Sequence, residues 1–145
     1  MSKNRLLLSL CLIVFALVLF QVNTSEAAWK KKVVDDKRKF SNFYSRAIAV
    51  DASNHPHIAY GGDHLYYAYY DGSTWNYQTV DSSPYVGWYT SIALDKSGKV
   101  HISYNDATNH RLKYVANVTG SWVTTAIGTY GEFTSLALDK SGKVQ

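Results

Sequence analysis

Aromatic rings beside planar polar side chains are concentrated in a few short stretches of this chain. Ser82–Tyr89 carries Tyr85, Trp88 and Tyr89, and 130–133 carries Tyr130, Glu132 and Phe133. Between them, 61–64 supplies Asp63 and His64, and 105–111 supplies Asn109, His110 and Arg111. This is the combination a sugar needs, because its C–H face packs on a ring while its hydroxyls pair with planar polar groups. The expected ligand contacts are therefore Tyr85, Trp88, Tyr89, Tyr130, Asp63, His64, Asn109 and Arg111. The competing job for each ring is to plug a gap between packed sheets. Trp88 stands out because Glu132 holds its place 44 residues later, so the scaffold itself does not require an indole there.

Other reactive types have plainer uses. His57 and His101 each stand one residue before an Ile-x-Tyr ending, and such repetition suits a strand histidine bonded to a neighbouring sheet. A proton carrier or sugar contact is the alternative. His55, His57 and His64 could suggest a metal, but no carboxylate or cysteine stands at ligand spacing, so no metal and no cofactor is expected. Asp51, Asp95 and Asp139 precede Ser-Asn or Ser-Gly turns, which an acceptor side chain caps. Trp75 and Trp122 are expected to pack at the starts of outer strands.

Something regular must position these groups, and the chain repeats itself at an offset of 44. Thr90–His101 recurs as Thr134–Gln145 with ten identities in twelve positions, and 47–57 matches at Ile48, Ala49, Asp51, Ser53 and His57. Each unit divides into four short strands, illustrated by Ser91–Asp95, Val100–Tyr104, Leu112–Asn117 and Trp122–Ile127, with turn residues between. Four strands in about 44 residues is the period of a propeller blade. Ser91 and Ala93 give the first strand a thin face, and Ile92 and Leu94 a thick one, as a sheet covered on both sides requires. The expected fold is all-β, a β-propeller of four-stranded antiparallel blades, incomplete in this chain. Its parts are 29–44 (a closing fourth strand over 29–35 and a connection), blades at 45–89 and 90–133, and the start of another at 134–145.

Gly72-Ser-Thr-Trp75 and Gly120-Ser-Trp122 resemble the hairpin between third and fourth strands in Asp-box (BNR-type) propeller repeats of secreted bacterial proteins. Ser91-Ile-Ala-Leu-Asp95 with His101-Ile-Ser-Tyr104 is similar to the inner strands of such repeats. The full motif has an aspartate five residues before the tryptophan and a serine two before that. Here those places hold Tyr70 and Ala68, with Asp71 shifted by one. The resemblance implies a propeller and admits two kinds of activity. A sialidase needs three clustered arginines, whereas only Arg46 and Arg111 follow Phe40. A polysaccharide lyase would draw on Tyr60, Tyr104, His101 and Arg111. Near-identical repeats favour many weak sites over one active site, so the expected role is noncatalytic binding of extracellular glycan. A polysaccharide-active enzyme and a protein-binding propeller are the alternatives.

Residues 1–28 read as a signal peptide: Lys3 and Arg5, an apolar run over Leu6–Phe20, then Ser25 and Ala27 at cleavage spacing. Removing it takes Lys3, Arg5 and Glu26 from the 15 basic and 11 acidic residues, leaving 13 and 10, and removes Cys11, the single cysteine. Six of those basic residues lie within 30–39, and from Phe40 onward there are 7 basic and 8 acidic. A neutral body with a basic edge argues against a nucleic-acid partner, and no later stretch is long enough to span a membrane. The expected location is secreted, periplasmic or cell-surface. Closing a propeller takes about four blades or more. The unit that reaches Gln145 in its second strand therefore implies a fragment of a larger ring, or self-association into one if the chain is complete.

Overall fold

Each half of the repeat folds as its own antiparallel meander. The first contains β1 (Arg46–Val50), β2 (Pro56–Gly61), β3 (Leu65–Tyr70) and β4 (Trp75–Asp81), paired in that order. The second contains β5 (Val86–Leu94), β6 (Val100–Asp106), β7 (Arg111–Ala116) and β8 (Val123–Thr129), paired likewise. This computed structural model describes residues 32–35 and 46–145, and among them there is no helix. Residues 1–28, where the signal peptide is expected, lie outside that set. The described residues from Val33 onward belong to one compact unit. The all-β expectation holds, with two four-stranded sheets of blade form.

The repeat extends to register. Ile48 pairs with Ile58 and Ala49 with His57; 44 residues on, Ile92 pairs with Ile102 and Ala93 with His101. The first-to-second turns are built alike three times. Asp51 Oδ1 accepts from the amides of Ser53 and His55 at 2.8 Å each. Asp95 Oδ1 takes Ser97 and Lys99 at 2.8 and 2.9 Å, and Asp139 Oδ1 takes Ser141 and Lys143 at 2.8 and 2.9 Å. These are the turn caps expected of Asp51, Asp95 and Asp139. Asp71 caps the β3–β4 hairpin through the amides of Ser73 and Thr74. Those bonds to its charged form hold its carboxyl well below the usual range.

The core lies between the two sheets. Ala59, Leu65 and Tyr67 of the first meet Val86, Ile92, Val100, Ile102, Tyr104 and Val115 of the second, with Ala47, Ala49 and Leu94 at the margin. The thick face of β5 thus packs on the alanine side of β1 and β2, as the alternation requires. Each buried Val, Ile or Leu contributes about 1.5–3 kcal/mol. The opposite, thick side of β1 is open: Ile48 and Val50 are 66% and 57% exposed.

Three boundaries differ from expectation. β5 starts at Val86 rather than Ser91, because bulges at Val86/Trp88 and Trp88/Ser91 let the connection pair with Asp106 and Asn105. Lys32–Asp35 carry no strand, and the rest of the expected closing strand, 29–31, lies outside the described residues. Val34 and Asp35 nevertheless take hydrogen bonds from the hydroxyls of Tyr77 and Tyr60. Finally, 134–145 forms one isolated antiparallel bridge, Leu138 to Val144, rather than two strands. It lies against the second sheet, where the Leu136 amide donates to Ser91 Oγ at 3.0 Å.

Candidate functional site

Two glycines shape the site. Gly87 has φ +82°, and a Cβ there would fall 2.8 Å from the His64 carbonyl oxygen and 3.0 Å from Leu65 Cα. Gly131, 44 residues later, would place a Cβ 2.7 Å from Leu112 Cβ and 2.8 Å from Leu112 Cα. In each repeat, therefore, the connection lies directly on the leucine near the start of the third strand, closer than any side chain allows. The next residue is delivered to the same place both times, Trp88 in one case and Glu132 in the other. Trp88 is half-buried and its Nε1 donates to the Gly62 carbonyl at 2.8 Å, so its indole fills the space beside the β2–β3 loop. Glu132 is smaller and exposed, and beside it a pocket of about 220 Å³ stands open.

The rings of Trp88, Tyr89 and Tyr130 and the polar side chains of Asn105, His110 and Glu132 wall this pocket. Three of those residues hold left-handed backbone: Tyr89 at φ 51°, His110 at 51° and Tyr130 at 58°, with Tyr85 and Phe133 nearby at 56°. Such conformations cost non-glycine residues on the order of 1–3 kcal/mol each and gather at functional sites. Local bonds hold them. The Tyr130 amide donates to the His110 carbonyl at 2.9 Å, Tyr85 to Asp63 at 2.8 Å and Ala107 to Tyr85 at 3.0 Å. Ring packing adds to this, with Tyr89 on Phe133 at 4.7 Å and His110 on Tyr130 at 5.9 Å between centroids.

Of the expected contacts, the structure gathers Trp88, Tyr89 and Tyr130. Trp88 and Tyr89 stand in β5 rather than in a loop, and the Trp88 indole is anchored rather than free. Tyr85 is exposed on the preceding loop, outside the pocket wall. Asp63 accepts from the His64 amide and the Tyr66 hydroxyl, His64 Nδ1 lies 2.9 Å from the Ser83 carbonyl, and the Asn109 amide donates to Asp106 at 3.0 Å. Those three build loops, and Arg111 opens β7 outside the wall. The wall residues outside the expected contacts are Asn105, Ala107, His110 and Glu132. His110 and Glu132 belong to the stretches the sequence marked, and the Trp88-to-Glu132 change between repeats is the signal that points to the opening.

A second cluster, also unforeseen, joins the two sheets. Lys113 Nζ lies 2.8 Å from Asp106 Oδ2 and 3.2 Å from Asp81 Oδ2, and the Tyr104 hydroxyl donates to Asp81 Oδ2 at 2.7 Å. Asp106 and Tyr104 have no exposed surface. Burial alone would raise the Asp81 carboxyl, but bonds from Tyr104, Ser83 and Lys113 outweigh it and hold it at about 2. Burial and the Asp81 charge push the Tyr104 phenol up. Since the folded Asp81 value lies below the ordinary 3.8, its stabilisation is complete above about pH 5 and lost as pH falls through 3.8 toward 2. Urea unfolding across that window should show a loss of about 2 kcal/mol beyond that of Asp81→Asn, which keeps the other aspartates. Identical profiles for the two would mean that Asp81 is not held by this network.

His57 and His101 make the same contacts twice. Their Nδ1 atoms lie 2.5 Å from the hydroxyls of Tyr67 and Tyr114, and their Nε2 atoms 3.6 and 3.7 Å from Asp51 and Asp95. Each tyrosine belongs to the histidine's own sheet, not to a neighbour as expected, because the third strand runs directly beside the second. Burial holds the His57 imidazole below its ordinary range. His55 also faces Asp51, while His64 lies at the far end of β2, so the three histidines are not brought together. His101 and Tyr104 are likewise committed to separate partners. Trp122 packs as expected, edge-on to Tyr67 at 5.4 Å.

No protein-family model and no curated protein matches the chain.

Proposed function

We propose that this chain is a secreted, noncatalytic β-propeller module, with Asp-box-like repeats, that holds extracellular carbohydrate at the loop end of its blades. The observation that supports this reading best is the ring-walled pocket beside Glu132, where the repeat symmetry breaks. Trp88, Tyr89 and Tyr130 offer apolar ring surface, and Asn105, His110 and Glu132 offer planar polar partners for hydroxyls. Left-handed backbone at three wall residues is the strain expected where geometry serves binding rather than stability.

Tyr130 is the cleanest probe, since it is 78% exposed while Trp88 is anchored to Gly62. In a glycan array followed by titration of the best ligand, Tyr130→Ala should weaken binding by about tenfold or more and shift unfolding free energy by no more than about 0.5 kcal/mol. Trp122→Ala, which removes an inter-sheet ring, should do the reverse and cost about 2 kcal/mol. Retention of no glycan by the wild type, or equal affinity in Tyr130→Ala, would remove the carbohydrate reading and leave a protein-binding one.

A further inference from the structure

Charge is the property of this pocket that a neutral sugar does not use. Glu132 is exposed on the wall, and among the described residues its carboxylate has no hydrogen bond or ion pair. Among the described residues no lysine or arginine lines the pocket. Arg111 follows His110 and pairs with Thr129 but stands outside the wall, and Lys113 is held between Asp106 and Asp81. The permanent charge on the wall itself is therefore negative, and three aromatic rings share that wall.

Rings and a carboxylate around one hollow favour a cation. An ammonium group gains attraction from the ring faces and a charge-assisted hydrogen bond from the carboxylate. A neutral sugar gives Glu132 hydroxyl donors but no opposite charge to offset its partial desolvation. Gly131 places the Glu132 main chain at this wall, because the Gly131 backbone lies against Leu112 and Glu132 follows immediately. A volume of about 220 Å³ has room for one sugar ring rather than a folded chain.

We propose that the pocket takes a hexosamine unit bearing a free ammonium group, with the rings against the C–H face and Glu132 receiving the ammonium. This rests on the carbohydrate reading above and adds the charge of the ligand.

Calorimetric titration at pH 6 compares a glucosamine tetrasaccharide with its N-acetylated counterpart, which has the same rings without the charge. The free amine should bind about tenfold more tightly. Glu132→Gln should erase that preference while keeping the residual affinity for the acetylated sugar, and Tyr130→Ala should weaken both. Raising salt from 50 to 500 mM should weaken the free amine alone. Equal affinity for the two sugars, or a preference that survives Glu132→Gln, overturns the ammonium proposal and leaves carbohydrate binding standing. Binding of n-butylamine as tightly as the tetrasaccharide overturns the hexosamine assignment. Failure of these and every arrayed glycan overturns the carbohydrate reading as well.

Discussion

Lys113→Met should destabilise the protein by about 3–5 kcal/mol in equilibrium unfolding, the loss expected when one partner of a buried ion cluster is removed. Lys113 is the cation between Asp81 and Asp106, and Asp106 is fully buried. Burial lowers the lysine pKa, but the two carboxylates outweigh it and raise the value, so the side chain is charged throughout the neutral range. Taking it away leaves two carboxylates facing one another with only Tyr104, Ser83 and Asn109 as donors. At least one must then bind a proton on folding. The sign of the pH response should therefore invert: the variant should gain stability as pH falls from 7 to 5, where the wild type does not. Adding Asp106→Asn should recover part of the loss. A cost under 1 kcal/mol, or an unchanged pH profile, would mean that the cluster is solvated and contributes little.

Three alanine substitutions separate two reasons for a glycine. Gly98 has φ +74° with nothing within 4 Å of where a Cβ would stand, so Gly98→Ala meets only the left-handed backbone penalty, about 1 kcal/mol. Gly131→Ala meets Leu112 at 2.7 Å without a left-handed φ, and overpacking of this kind costs about 1–3 kcal/mol. Gly87→Ala meets both, against backbone atoms of His64 and Leu65 that no rotamer change can move, and should cost about 3 kcal/mol or more. Thermal and urea unfolding of the three should rank them Gly87, Gly131, Gly98. Gly87→Ala no worse than Gly98→Ala would show that the connection does not lie on Leu65.

The parts of this architecture that repeat were legible in the sequence. Ser91–Leu94 alternates in size, Asp95 caps a Ser-Gly turn, and both features recur at fixed spacing, so local chemistry and period agree. What was illegible depends on partners distant along the chain. The early start of β5 requires Val86 and Trp88 to pair with Asp106 and Asn105 across two bulges, and nothing in 82–89 itself signals that partner. Asp81, Asp106 and Lys113 look like ordinary surface charges one at a time and become a buried cluster only when β4, β6 and β7 converge. The pocket lay between these extremes. Its rings were identifiable by type, but its opening depends on what is absent at Glu132, which only a repeat-to-repeat comparison reveals.

The pairing of a thin face with a thick one makes each unit both socket and plug. Ala47 and Ala49 receive Ile92 and Leu94, while the equivalent Ser91 meets the backbone of Leu136. Duplicating a 44-residue unit therefore duplicates both halves of the joint, and a new copy fits its neighbour without further change. The same arrangement constrains later divergence. A larger residue at a socket position is tolerated only if the plug of the following copy shrinks, so substitutions should travel in pairs about 45 residues apart along the chain, as Ala47 and Ile92 are, rather than singly.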